Sequence, residues 1–217
     1  MARIEVFEPG PVRPARLRPT AVLPLTLEND RLGWVTERKH PDMWVDPEDD
    51  AREAIELGTG EKAVLTGYLN HYRLTFEMKC EGLDADQLAR RSVPPSTLSL
   101  LGLVRHLAKV EHSWFRRVLA NQTQTPQLYW SEEDRDLAFT GAVPDPAVVE
   151  DAWQTWRREV NHAQAYLDAL PDLGATVDHH GRATEIRDIV VHLVEEYARH
   201  VGHADLLREC IDGRTGQ

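Results

Sequence analysis

Glu196 and His200 stand four residues apart near the end of the chain, in the stretch VHLVEEYARHVGHADLLRECID (191–212). If that stretch is helical, the two side chains sit one above the other on one face. A carboxylate and an imidazole at this spacing can share one metal ion. The same spacing also describes a solvated Glu–His pair on a helix surface. Their surroundings argue for the first reading. At about 100° per residue, Ile189, Glu196, His200 and Leu207 fall within about 20° of one line, and His203 lies close to it. That line should be an apolar seam, and a carboxylate in such a seam is costly unless something pairs with it. A third candidate donor, His106, flanks the apolar stripe of another helical segment. Two imidazoles and one carboxylate would leave coordination positions open, as catalytic sites do and closed structural sites do not.

Four amphipathic helices position these residues. The first starts near Gly60, carries Leu65, Tyr68, Tyr72 and Phe76 at helical spacing, and ends at Gly82. After Pro94-Pro95, Ser96 or Ser99 caps the second, whose stripe is Leu100, Leu103, Leu107, Val110, Trp114 and Val118. A long connection, 121–144, allows consecutive helices to run parallel. Asp145 and Pro146 open the third helix, with Val149, Trp153, Trp156, Val160, Ala163 and Leu167 inward. A polar loop holds His179 and His180, Thr184 is the candidate cap of the fourth helix, and Gly213 ends it. With no convincing strand in this part, the expected fold class is all-α, a four-helix bundle over 58–217 with a long crossover between helices two and three.

Residues 1–57 differ. Seven prolines, at 9, 11, 14, 19, 24, 41 and 47, exclude a bundle helix there. The expectation is an extended arm, with IEVF (4–7) and AVLPLTL (21–27) as short extended pieces and Trp34 and Trp44 packing against the domain or a partner subunit; a partly disordered tail is the alternative. A composition 41% hydrophobic and 28% charged is that of an ordinary globular protein, and a net charge of −11 argues against nucleic acid or an anionic membrane as partner. The first residues lack an apolar core of signal-peptide length, so a cytoplasmic location is expected. Cys80 and Cys210 form no disulfide framework and read as reduced thiols.

HLAKVEHSW (106–114), followed some ninety residues later by EEYARHVGHADLLRECIDG (195–213), resembles the DinB-like metalloprotein superfamily. The branch it is most similar to holds the mycothiol-dependent maleylpyruvate isomerases and related thiol transferases. HYRLTFEMKCEGLDADQL (71–88) resembles that group's first helix and turn, so the likeness spans about 60–213 and leaves the arm out. It implies a four-helix bundle, often a homodimer, with a divalent metal between helices two and four. The ion would be zinc, with nickel possible, held by His106, Glu196 and His200. His192 and His203 would support the site or face the substrate, and Arg73 and Trp114 would line the pocket; bundle packing is the competing role for those two. Glu111 and His112, five and six residues past His106, are expected on the surface. The implied function is a metal-dependent transferase or isomerase that uses a low-molecular-weight thiol of the mycothiol type against an electrophilic substrate. The competing reading is a metal-binding stress or interaction protein without turnover. Hydrolysis by metal-activated water is a third, for which the sequence names no general base.

Overall fold

The computed structural model describes residues 39, 40, 42–55 and 58–217. The chain divides into two units, Met1–Glu37 and Arg38–Gln217, and every described residue belongs to the second. IEVF, AVLPLTL and Trp34 lie outside the described residues.

Four long helices form the bundle: α1 (Glu61–Cys80); α3 (Leu100–Glu111), which continues as a π-helical segment over His112–Leu119; α5 (Pro146–Ala169); and α6 (Ile186–Asp212). Two short helices, α2 (Ala85–Ala89) and α4 (Leu137–Thr140), lie in the connections, α4 within the crossover. α1 packs chiefly on α6 and α3 on α5, while α3 also meets α6 and so closes the bundle. The all-α expectation holds, with one small two-stranded sheet added. No helix among the described residues is long and apolar enough to cross a membrane.

Most helix ends follow local chemistry. The Ser99 side chain accepts from Gly102 N–H, and the Asp145 side chain accepts from Ala147 N–H with Pro146 behind it. Gly213 closes α6 in the left-handed region at φ 79°. The start of α6 departs from expectation. Thr184 does not cap it, because Thr184 lies in a hairpin, β1 (Thr176–His179) with β2 (Arg182–Glu185). The His180-Gly181 turn has positive φ at both residues, the geometry that matches the twist of a two-residue hairpin. The strand leading back delivers the chain so that Ile186 and Arg187 donate their amides to the carbonyls of Ala175 and Leu173. Backbone carbonyls thus satisfy the first helical N–H groups, which elsewhere need a side-chain cap.

The buried faces show two further departures. In α1 the inward face carries Leu69, Arg73, Phe76 and Cys80, while Tyr68 is 47% exposed. In α3 the stripe runs Leu103, Leu107, Glu111, Phe115 and Leu119 rather than through Trp114 and Val118. Beyond Glu111 the four-residue spacing is carried on to Phe115 and Leu119 because the π-helical turn is wider than 3.6 residues.

Residues 42–55 pack against the end of the chain. Trp44, 1% exposed, lies within 4.0 Å of Lys79 Nζ and 3.8 Å of the Arg214 guanidinium, measured to its ring centroid. Its amide donates to the Gln217 carbonyl. The expectation that this tryptophan packs on the domain is met.

Candidate metal centre

α3 and α6 bring His106, Glu196 and His200 together, with one donor atom from each lying within 4.8 Å of the others. Glu196 Oε2 stands 3.5 Å from His106 Nε2 and 3.3 Å from His200 Nε2. A tetrahedral ion with ligand bonds of about 2.0–2.1 Å separates its donors by about 3.3 Å, so the two distances to Glu196 Oε2 suit such an ion. The donor chemistry fits as well. His106 Nε2 is buried and has no hydrogen-bond partner among the described residues, a state that buried polar atoms normally avoid.

Both imidazoles are held neutral. Burial lowers the pKa of His106, against the opposing pull of Glu196. Burial, followed by the neighbouring His106, brings His200 down to about 4, although Glu196 pulls it up. A neutral imidazole offers the lone pair that a cation needs. The side chains are 25%, 26% and 11% exposed for His106, Glu196 and His200, so a small molecule can reach the cluster.

The expected supporting residues divide. His203 Nδ1 lies 3.2 Å from His200 Nδ1, on the ring edge away from the Nε2 that faces Glu196. His192 Nε2 is 3.7 Å from Glu196 Oε1. Trp114, carried by the widened turn of α3, packs between His192 at 5.1 Å and His179 of the hairpin at 4.9 Å. His192 thus flanks the cluster on the Glu196 side, with Trp114 packed behind it.

Arg73 is placed differently from the pocket role expected of it. It is 3% exposed and engages Glu111 through Nε and Nη2, both at 2.8 Å, and Asn70 through Nη1. Glu111 also accepts from the Tyr197 hydroxyl at 2.8 Å, and Tyr197 accepts from Trp156 Nε1 at 2.8 Å. This buried network joins all four long helices. The expectation that Glu111 and His112 are surface residues is overturned: they are 0% and 2% exposed. His112 lies inside, against Glu159 Oε2 and the Pro126 carbonyl. Arg73 falls on the face of Leu69 and Phe76, and Glu111 on the face of Leu107 and Phe115, so each interrupts a buried stripe that the other can neutralise.

Phe139, a crossover residue with no evident role in the sequence, stacks on His106 with ring centroids 5.5 Å apart.

The fold has known counterparts. A crystal structure of a conserved protein from Enterococcus faecalis superposes with a TM-score of 0.52 at 14% identity, covering 72% of this chain and 99% of that one. That likeness is one of fold. No curated protein matches the chain. Residues 64–213, well over half of the chain and the whole of the cluster, match the model of the family described as Mycothiol-S-transferase. The chain is therefore a member of the mycothiol S-transferase family, on a DinB-like four-helix bundle.

Proposed function

We propose that this protein transfers a low-molecular-weight thiol of the mycothiol type to an electrophilic carbon, with His106, Glu196 and His200 holding a divalent cation, zinc first and nickel second. The observation that carries the reading is the buried, unpartnered Nε2 of His106 facing a carboxylate and a second neutral imidazole at ligand spacing. Family membership supports the thiol and its acceptor as the two substrates. A bound cation would supply positive charge that lowers the pKa of a thiol at the site.

The chain's own residues do the rest. Glu196 balances charge, and the His203 contact at Nδ1 holds the His200 ring with its Nε2 toward the cluster. As the C–S bond forms, the bond from that carbon to the leaving group of the electrophile breaks, the leaving group departs to solvent with the electron pair, and the thiol proton must leave as well. His192, beside Glu196 with its side chain 39% exposed, is placed to accept it and pass it to water. Phe139 covers the His106 ring and reduces the water around it, and Trp114 packs on His192. The homodimer that the resemblance implies, and the cytoplasmic location expected from the first residues, belong to the same proposal.

Metal content of the purified protein, with and without His106→Ala, tests the first half. Wild type should carry close to one equivalent of divalent metal, and the variant should lose most of it; equal metal in both would refute the ligand set. Thiol consumption by the metal-loaded protein, across a panel of low-molecular-weight thiols with a test electrophile, checks the second half. No consumption with any thiol would favour a binding protein without turnover.

A further inference from the structure

The two histidines of the cluster are held in different ways. His200 has the expected support, a hydrogen-bonded partner on the ring nitrogen facing away from the cluster. His106 has none: among the described residues no hydrogen bond reaches its Nδ1, and its Nε2 is the unpartnered atom. Its ring is instead sandwiched. The Phe139 ring lies over it at 5.5 Å with an interplanar angle of 27°, and the His200 ring meets it edge-on at 4.7 Å.

The placement of Phe139 is built into α3. A Cβ on Gly102, one turn before His106, would lie 2.7 Å from Phe139 Cδ1, so the ring occupies a notch that only glycine leaves open. Arg105, adjacent to His106 and 7% exposed, donates from Nε to the Ala138 carbonyl and from Nη2 to the Leu137 carbonyl, both at 2.9 Å. The same guanidinium lies 4.0 Å from the Tyr129 ring, and the Tyr129 hydroxyl donates to Asp151 at 2.8 Å. Gly141 lets the arginine pass, since a Cβ there would stand 2.7 Å from Nη2. Gly102, Arg105 and His106 thus form one turn of α3 that receives the crossover and presents the imidazole.

We propose that Phe139 is a positioning residue for His106: seated in the Gly102 notch and anchored by Arg105, it sets the imidazole plane so that Nε2 faces Glu196 and His200. It replaces the hydrogen bond that usually orients a ligating histidine. This inference rests on the ligand set proposed above. The crossover then serves the site directly, and a change in its sequence alters the metal centre without touching a ligand.

The test titrates Zn(II) and Co(II) into metal-free wild type, Phe139→Leu, Phe139→Tyr, Gly102→Ala and the Phe139→Leu/Gly102→Ala double variant, with the far-UV CD and melting curve of each recorded. Losing an orienting partner should weaken metal binding about 10- to 100-fold. Phe139→Leu keeps the apolar volume but removes the flat face, so it should show that loss with its helical CD intact and alter the visible Co(II) spectrum. Phe139→Tyr keeps the face and should bind as wild type does. Gly102→Ala should weaken binding in the wild-type background, because it pushes the ring out, and should have little further effect once Phe139 is Leu. Wild-type affinity and an unchanged Co(II) spectrum in Phe139→Leu would overturn the inference, as would full additivity of the two substitutions. Failure of wild type itself to bind either metal, or undiminished binding by His106→Ala, would instead overturn the ligand set.

Discussion

Removing Glu111 should be among the most damaging single changes in this protein, although the residue belongs to no proposed ligand set. Its side chain is 0% exposed and that of Arg73 is 3% exposed, with two contacts of 2.8 Å between them. In Glu111→Ala the guanidinium keeps only Asn70 Oδ1 at 2.9 Å, and the Tyr197 hydroxyl loses its acceptor. Tyr197 does not take over as an anion, because burial, the largest cause holding its phenol well above the ordinary range, remains when Glu111 is gone. Breaking a buried pair on one side costs about 3–5 kcal/mol, because a charge is left without compensation. For a chain of this size that corresponds to a fall in Tm of about 6–20 °C, at about 2–4 °C per kcal/mol.

The assay is urea unfolding of wild type, Glu111→Ala, Arg73→Met and the double variant. Each single variant leaves a buried charge, whereas the double variant leaves none, so the double should cost much less than the sum. A coupling of about 2 kcal/mol or more is expected for groups in direct contact. A cost below about 1 kcal/mol for Glu111→Ala, the range of an exposed pair, would refute the claim that this network is a buried tie. So would additivity of the two substitutions.

Three further outcomes follow from the same structure. Glu159 is 2% exposed; burial alone would raise its pKa, but hydrogen bonds from His112, Arg116 and Arg158 outweigh it and bring the carboxyl down to about 2 from an ordinary 4.5. Between those values the unfolded chain binds the proton and the folded one does not, so stability present above pH 4.5 should be lost as pH falls toward 2. After allowance for the exposed Arg158, the loss is on the order of 2 kcal/mol; acid melting curves of wild type and Glu159→Gln should differ in slope across that window, and parallel curves would refute it. Trp44→Ala should cost about 3–5 kcal/mol by urea unfolding, since a fully buried indole is removed from among Lys79, Arg208 and Arg214; a cost near zero would mean that residues 42–55 do not stay packed in solution. His203→Ala should weaken Zn(II) binding about 10-fold or more while leaving the melting curve of the metal-free protein nearly unchanged; unaltered zinc affinity would remove His203 from the support of His200.

Legibility of the fold depended on how local its causes are. Helix ends set by one side chain or one glycine, such as Ser99, Asp145 and Gly213, were readable because cap chemistry lies within four residues of the end. The hairpin was not, because TVDH and RATE are too short and polar to show an alternating pattern, and the turn is His-Gly rather than Asn-Gly. With the hairpin unseen, the cap of α6 was assigned to Thr184 when backbone carbonyls of residues 173 and 175 do that work. The inward stripe of α3 is legible as far as Leu107; beyond it the charged Glu111 takes the buried face, and past His112 the π-helical segment no longer follows a period of 3.6. Phe139 could not have been read forward, since its role depends on a contact across 33 residues; the trace it leaves in the sequence is Gly102, a glycine inside a strong helical stripe.

The bundle holds two polar clusters on otherwise apolar faces, and charge and hydrogen-bond accounting separate their roles. Arg73, Glu111, Tyr197 and Trp156 sum to zero charge, and each contact there joins a donor to an acceptor. Nothing need be added, so the cluster is complete as a tie among helices. His106, Glu196 and His200 carry one negative charge between two imidazoles that burial keeps neutral, and one ring nitrogen has no partner. A single proton would neutralise the carboxylate, but it would not bring the three donor atoms, spaced near 3.4 Å about Glu196 Oε2, to a common partner. The proposed cation between them would do both at once. Tyr197 and Glu196 are consecutive residues on α6, so the complete cluster fixes the rotation of the helix that presents the incomplete one. Loosening the tie should therefore weaken metal binding as well as stability, even though none of its members reaches the ion.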